Sequence, residues 1–224
     1  MREVVDGVFE LALGYVNVHV IVTDDGLVLV DTGLPKGVKV LERSLRSIGR
    51  TLDAVTMVLI THHHPDHAGS LAVVRARAGA TAVAHAADAP HLTGAIPQAR
   101  PTGFMAKLVT RAIGTPEPTK LDKLVTGDGG EVVPGIVAVH TPGRTRGHVS
   151  YLLDRAGGVL FAGDAATHLK GVLSGPPPGP ATADAERAAE SLTRLAGLEF
   201  ENAVFGHGQP IIGGAAEQFR QLRP

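Results

Sequence analysis

The sequence predicts an α/β fold, and three observations carry that prediction. Short runs dense in β-branched and aliphatic residues recur along the chain, with Gly, Pro and Asp turns between them. Other segments place apolar residues three and four apart, the spacing of a half-buried helix. Each half of the chain runs strands first and helix later, with no internal repeat at a fixed period.

The elements follow in order. Val8–Leu13 and Tyr15–Thr23, separated by Gly14, read as antiparallel strands of a hairpin-like start. Asp24-Asp25-Gly26 is a turn of the Asp-Gly type. Leu27–Asp31 is continuously apolar until its last residue, as expected of a strand buried on both faces, and it ends in Asp31-Thr32-Gly33. Asp31 is either a turn or cap residue or a carboxylate that holds ligand loops by hydrogen bonds. Val38, Leu41, Leu45 and Ile48 define one face of a helix. Leu52–Ile60 is a strand, Ser70–Ala78 a helix ended by Gly79, and Thr81–His85 a short strand. Five prolines break residues 86–120, within which Phe104–Ile113 is a short apolar helical candidate. So long a connection calls for helices or a function of its own; a substrate lid or a dimer contact is weighed against ordinary packing. Glu131–Val133, Ile136–His140, His148–Leu153 and Val159–Ala162 are further strands. A Pro/Gly-rich loop runs from Leu173 to Ala181. Thr182 caps a helix over Ala183–Ala196, buried through Ala188, Leu192 and Leu195. Asn202–Phe205 is the last strand, and a short helix near Ala215–Leu222 closes the sequence.

Composition narrows the classes of function. The chain has 224 residues, 44% of them hydrophobic, which suits one sizeable domain with a substantial core. Lys and Arg number 21 against 22 Asp and Glu, so no basic balance favours nucleic acid as a partner. Cysteine is absent, so thiolate ligands, disulfides and a cysteine nucleophile are all excluded. The N-terminal segment carries Arg2, Glu3 and Asp6, and the apolar stretch after it is broken by Glu10, Asn17 and His19. It has neither the pattern of a signal peptide nor that of a membrane span. The expectation is a cytoplasmic protein acting on a small molecule, as a monomer or homodimer.

The chemistry concentrates in Thr61-His62-His63-His64-Pro65-Asp66-His67, four imidazoles and a carboxylate within six residues. Those donors suit Zn, Fe or Mn. On extended backbone, His62 and His64 share a face and can address one ion. Pro65 keeps His64 out of a helical conformation and bends the chain, so Asp66 and His67 can aim at a second ion. His63 faces the other way and is left out. The alternative for Asp66 is a helix cap. Three more candidates sit at strand ends beside glycines: His148 after Gly147, Asp164 after Gly163, and His207 between Gly206 and Gly208. His85, His91 and His168 are read as structural or surface residues. Arg144 and Arg146 are either contacts for an anionic substrate group or exposed turn residues.

Taken together, the His-x-His-x-Asp-His stretch, His148 after a Thr-Pro-Gly turn, Asp164 in Gly-Asp and His207 in Gly-His-Gly resemble the metallo-β-lactamase superfamily of metallohydrolases, in its glyoxalase II-like and lactonase-like branch. Asp31-Thr32-Gly33 resembles that family's early strand end, and the likeness covers nearly the whole sequence. It implies a four-layer αββα sandwich formed by a single domain, 1–224, with 86–120 as a helical lid or insert. It implies two divalent ions, zinc first and Fe or Mn as alternatives. His62, His64 and His148 would hold one, Asp66, His67 and His207 the other, with Asp164 bridging them. It further implies hydrolysis of an ester, thioester or lactone by a metal-bridging hydroxide, with Asp66 also passing a proton to the leaving group. A β-lactam hydrolase, a phosphodiesterase and a metal-containing binding module without turnover are the alternatives.

Departures from the family narrow the substrate. Only 17 residues follow His207, too few for the glutathione-binding helical extension of glyoxalase II-like enzymes. Lactonases of this type carry Tyr three residues after the bridging Asp, where this chain has Thr167. Many relatives have His where Arg144 stands.

Overall fold

The fold was analysed in a computed structural model, which describes residues 1–97, 114–177 and 182–222. The first sheet has seven strands in chain order: β1 (Arg2–Val5), β2 (Val8–Leu13), β3 (Val16–Thr23), β4 (Gly26–Val30), β5 (Val55–Leu59), β6 (Thr81–His85) and β7 (Lys123–Val125). β1 to β4 pair antiparallel, and β4 to β7 pair parallel. The second sheet is formed by β8 (Gly130–Val133), β9 (Ile136–His140), β10 (Val149–Leu153), β11 (Val159–Phe161), β14 (Asn202–Val204) and β15 (Ile211–Ile212). Its order is β15-β14-β11-β10-β9-β8, and only β11 and β14 pair parallel. A two-stranded ribbon, β12 (Thr167–Leu169) with β13 (Val172–Ser174), stands apart.

Core composition shows how the layers stack. One apolar cluster joins Ile21, Val28, Val30, Leu59 and Val83 of the first sheet to Ile136, Val149, Tyr151, Phe161 and Val204 of the second. The two sheets therefore pack face to face. The opposite face of the first sheet, with Val20, Leu27, Leu29 and Val58, is covered by α1 (Val38–Ser47) through Leu41 and Leu45 and by α3 (Leu71–Ala78) through Leu71 and Val74. The outer face of the second sheet, with Leu160 and Ala203, is covered by α5 (Ala185–Ala196) through Leu192 and Leu195 and by α6 (Ala215–Gln221) through Phe219. The result is the four-layer αββα arrangement. β4 shows why its sequence is uniformly apolar: Leu27 and Leu29 enter the outer core, Val28 and Val30 the central one. Two short helices, α2 (Pro65–Ala68) and α4 (Ala89–Leu92), lie in loops. No described helix is long and apolar enough to cross a membrane.

The differences from expectation have local causes. β1 and β7 carry exposed Arg2, Glu3, Lys123 and Leu124, so neither shows an apolar signal. β12 lies in residues given no element from the sequence, and β13 ends inside the Pro/Gly-rich loop; of their six residues only Thr167 is buried. Residues Leu52–Ala54 form a 3₁₀ turn before β5 rather than strand. α5 starts two residues later than expected, because Asp184 rather than Thr182 is the cap and accepts from the Arg187 amide. The Thr182 hydroxyl instead donates to the Pro177 carbonyl. The helical candidate at 104–113 lies outside the described residues, as do residues 98–113 of the segment assigned to a lid.

Tyr151 is wholly buried between the sheets, and its hydroxyl donates to the Ile60 carbonyl at 2.9 Å, just before the histidine stretch. Replacing it by Phe leaves that carbonyl without its partner and is expected to lower unfolding free energy by about 1–2 kcal/mol in urea denaturation.

Candidate metal centre

β5 ends at Leu59, and the chain continues without regular structure, bending at Thr61, to His64, whose φ of −62° and ψ of 148° are those expected of a residue before proline. The Nε2 of His62 and Nδ1 of His64 accordingly face each other at 2.9 Å. Pro65 starts α2. Asp66 lies inside this one-turn helix and makes no capping bond, so the cap alternative does not hold. His67, one residue on, is fully buried.

Distant strand ends bring the remaining groups. Asp164 follows β11 and is wholly buried. Its Oδ1 lies 3.3 Å from His67 Nε2 and 3.4 Å from His207 Nε2, and it is buried without a hydrogen-bond partner. Its Oδ2 lies 3.7 Å from His62 Nε2. His207 Nε2 is 3.6 Å from Asp66 Oδ2. Donor atoms of His62, His67 and Asp164 fall within 4.8 Å of one another, as do those of Asp66, His67 and His207. His148 immediately precedes β10 and its ring lies 5.1 Å from that of His62, but both its nitrogens are engaged, Nδ1 with the Thr141 hydroxyl and Nε2 with the Asp164 amide. All seven residues anticipated from the sequence thus meet in one place, with His64 and His148 at its margin.

The groups behind them set their orientation. Asp31 adopts a left-handed φ of 66° and turns its carboxylate inward. One oxygen accepts from the Thr61 amide at 2.8 Å; the other faces the Thr61 hydroxyl and His67 Nδ1, each at 2.8 Å. Of the two readings of Asp31, the structure thus gives the hydrogen-bonding one. Holding Nδ1 leaves His67 Nε2 to face the centre, the usual arrangement behind a metal-ligating imidazole. Asp88 ties the histidine stretch to the 144–148 turn. It accepts from the amides of His63 and Gly147 and the hydroxyl of Thr145, and stands 2.9 Å from His63 Nδ1. His63 is therefore directed away from the centre, as expected, and stacks on His91. Asn17 donates to the carbonyls of Phe205 and Gly208, fixing the loop that presents His207. His207 Nδ1 meets the Tyr15 carbonyl at 2.6 Å, and the exposed Tyr15 ring stacks on the imidazole.

Arg144 corrects an expectation. It is no exposed turn residue but is 7% exposed, and its Nε donates to Asp164 Oδ2 at 2.9 Å. Arg146 is exposed, and its carbonyl accepts from His140 Nε2.

Electrostatics divide the imidazoles. Burial, reinforced by His67, holds His62 well below its ordinary range. Burial, then Arg144 and His63, lowers His64 to about 3. Burial lowers His148 to about 4 against the pull of Asp164. These three are neutral imidazoles at neutral pH, each with one ring N–H and one nitrogen lone pair to offer. Burial also opposes a charge on His67, but Asp164 and Asp31 outweigh it and raise the group well above its ordinary value. His207 is likewise raised by Asp164 against burial. For Asp164, burial favours the neutral acid, yet His67, His207 and His62 keep the carboxylate ionised. The extra proton on His67 leaves when a cation replaces it.

The donor set fits metal ions. It consists of imidazole nitrogens and carboxylate oxygens, and it contains a buried carboxylate oxygen with no hydrogen-bond partner. Gly206 leaves room beside it; a Cβ there would lie 2.5 Å from both Asp164 Oδ1 and His67 Cε1.

Comparison with known proteins agrees. The profile of the metallo-β-lactamase superfamily matches residues 11–207. A probable metallo-hydrolase of Bacillus subtilis, YflN, is 31% identical over 94% of this chain and 87% of its own. An N-acyl homoserine lactonase from Bacillus sp. is 26% identical, over 84% of this chain and 79% of its own. Among solved structures, a metallo-β-lactamase family protein of Thermus thermophilus superposes with a TM-score of 0.75 at 27% identity, covering 98% of this chain and 79% of that one. The chain belongs to the metallo-β-lactamase superfamily. Its class is that of the metal-dependent hydrolases.

Sequence reasoning missed Asn17, Asp88 and the burial of Arg144. Asn17 had a signal, since it interrupts the apolar run Val16–Val22. Asp88 had none: its partners lie 25, 57 and 59 residues away.

Two outcomes are expected. Gly206→Ala pushes a methyl against Asp164 and His67 and lowers the metal content of the purified protein, measured by inductively coupled plasma mass spectrometry, with little loss of far-UV circular dichroism. Asp88→Ala strips three donors of their acceptor and costs about 1–3 kcal/mol in urea unfolding.

Proposed function

We propose that this protein hydrolyses an ester, thioester or lactone bond of a small molecule, using two divalent ions, zinc by preference. The observation that carries the reading is the convergence of Asp66, His67, His207, His62 and Asp164 around an unpartnered buried carboxylate oxygen. In this reading His62, His64 and His148 hold one ion, Asp66, His67 and His207 the other, and Asp164 is shared. Fe and Mn accept the same donors. When bound, such ions supply Lewis acidity and bring a coordinated water's pKa toward neutrality.

The chain's own residues do the rest. Asp31 and Thr141 hold the rings of His67 and His148 from behind and fix which nitrogen each presents. Asp66 is partly exposed, with 18% of its side chain open to solvent, and it stands at the mouth beside His207. It is the carboxylate placed to receive a proton and return it to a leaving group. Tyr15 stacks on His207 from the solvent side, and burial together with the nearby Asp66 carboxylate raises its phenol, so it enters as a neutral hydrogen-bond donor at the rim. Thr167 is buried with its hydroxyl on the Gly175 carbonyl, so the phenol that lactonases place at this position has no counterpart there. The homoserine lactonase among the relatives supports the ester and lactone class, while Thr167 argues for a substrate different from that relative's.

A panel of thioesters, lactones, a β-lactam and a phosphodiester, each followed by product release with metal-loaded protein, tests the reading. Turnover is expected on an ester, thioester or lactone, and His62→Ala or Asp164→Ala is expected to reduce it about 100-fold or more, since even residues behind the ligands contribute 10–100-fold. Full activity and full metal content in both variants would refute the assignment.

A further inference from the structure

We propose that Arg144 makes the two halves of the metal centre unequal: an ion binds firmly among Asp66, His67 and His207, and only weakly among His62, His64 and His148. The inference rests on the ligand assignment above and adds to it an internal cation at the carboxylate the two halves share.

Asp164 has two different neighbourhoods. Its Oδ1 faces His67 and His207 and has no hydrogen-bond partner. Its Oδ2 already holds the Arg144 guanidinium through Nε at 2.9 Å. That pair is the only ion pair Arg144 makes among the described residues, and its Nη1 is buried without a partner. Among the described residues the guanidinium's charge is therefore answered by Asp164 alone. It cannot be shed, because an arginine does not deprotonate in a protein.

The position of Arg144 is built rather than accidental. The turn carrying it is clamped on both sides. The Thr145 hydroxyl donates to Asp88. The carbonyls of Gly143 and Arg144 accept from the amides of Asp184 and Ala183, at the start of α5. The Pro142 carbonyl accepts from the Ser191 hydroxyl on the same helix. With both flanks tied down, and only 7% of the residue exposed, the side chain has little freedom to leave Asp164.

Counting charges then separates the halves. His62, His64 and His148 are three neutral ligands, and the carboxylate they share is Asp164, on the oxygen side that Arg144 occupies. Asp66, His67 and His207 include a carboxylate of their own, and Asp31 adds another behind His67. An ion in the first half meets a fixed positive charge a few ångströms away, a repulsion only partly damped by the protein. His148 adds to the difference, because its Nε2 accepts from the Asp164 amide and must exchange that bond for a metal bond. At limiting metal the protein is thus a one-ion species, and the second ion is taken up only as supply rises.

The test is zinc titration of chelator-stripped protein against a competing chromophoric chelator, with zinc content after dialysis as a second readout. Wild type is expected to retain one equivalent, and to bind a second at least about tenfold more weakly, the scale of a single nearby charge. Arg144→Gln removes the charge and is expected to close most of that gap by tightening the weak step. Arg144→Lys keeps a cation and is expected to preserve it. Arg144→Met serves as a second neutral replacement should the Gln variant misfold. Two equivalents of equal affinity in wild type would overturn the proposal and leave the ligand assignment standing. So would a neutral variant that binds the second ion no more tightly than wild type. Failure of wild type to bind any zinc would overturn the ligand assignment itself, and the proposal with it.

Discussion

A buried carboxylate governs this site. Asp164 is sealed from solvent, and an isolated charge there would cost several kcal/mol. It remains ionised because His67, His207 and His62 stand around it, while Arg144 donates to its second oxygen. Every other feature of the centre follows from supplying those cationic partners at the right distance. His67 needs Asp31 behind it, Asp31 needs its left-handed backbone, and His207 needs the Tyr15 carbonyl and a loop held by Asn17. The protonated His67 imidazole and the Arg144 guanidinium balance the carboxylate.

The sandwich places these groups where loops can carry them. Five segments contribute, each leaving the end of a strand: β4 to Asp31, β5 to the histidine stretch, the β9–β10 turn to His148, β11 to Asp164 and β14 to His207. The central core between the sheets fixes those strand ends, and Tyr151 links that core directly to Ile60. Rigid strands with short loops give side chains the positional precision that a multi-ligand centre requires. The hydrogen bonds that Asp88 accepts and Asn17 donates then lock loops together across more than fifty residues of sequence.

Much of this was legible in the chain. The α/β class follows from the apolar runs, and the metal chemistry from His62, His64, Asp66 and His67, because no bland structural role calls for four imidazoles in six residues. His148, Asp164 and His207 were legible only as a set, each beside a glycine at a strand end. What escaped has a shared physical cause. β1, β7 and β12–β13 are edge or exposed elements whose stability comes from pairing rather than from a buried face. Asp88 and Arg144 act through contacts that only tertiary folding creates. An arginine in a Gly-Arg-Thr turn reads as solvent-facing until a carboxylate twenty residues away is found beside it.

One claim underlies all of this: divalent ions sit between these particular side chains. Anomalous X-ray scattering from zinc-soaked crystals, recorded on both sides of the zinc absorption edge, tests it most directly. A strong anomalous peak is expected, bounded by His67 Nε2, His207 Nε2, Asp66 and Asp164 Oδ1. Crystals that show no peak there, or bind zinc only elsewhere on the surface, would contradict it.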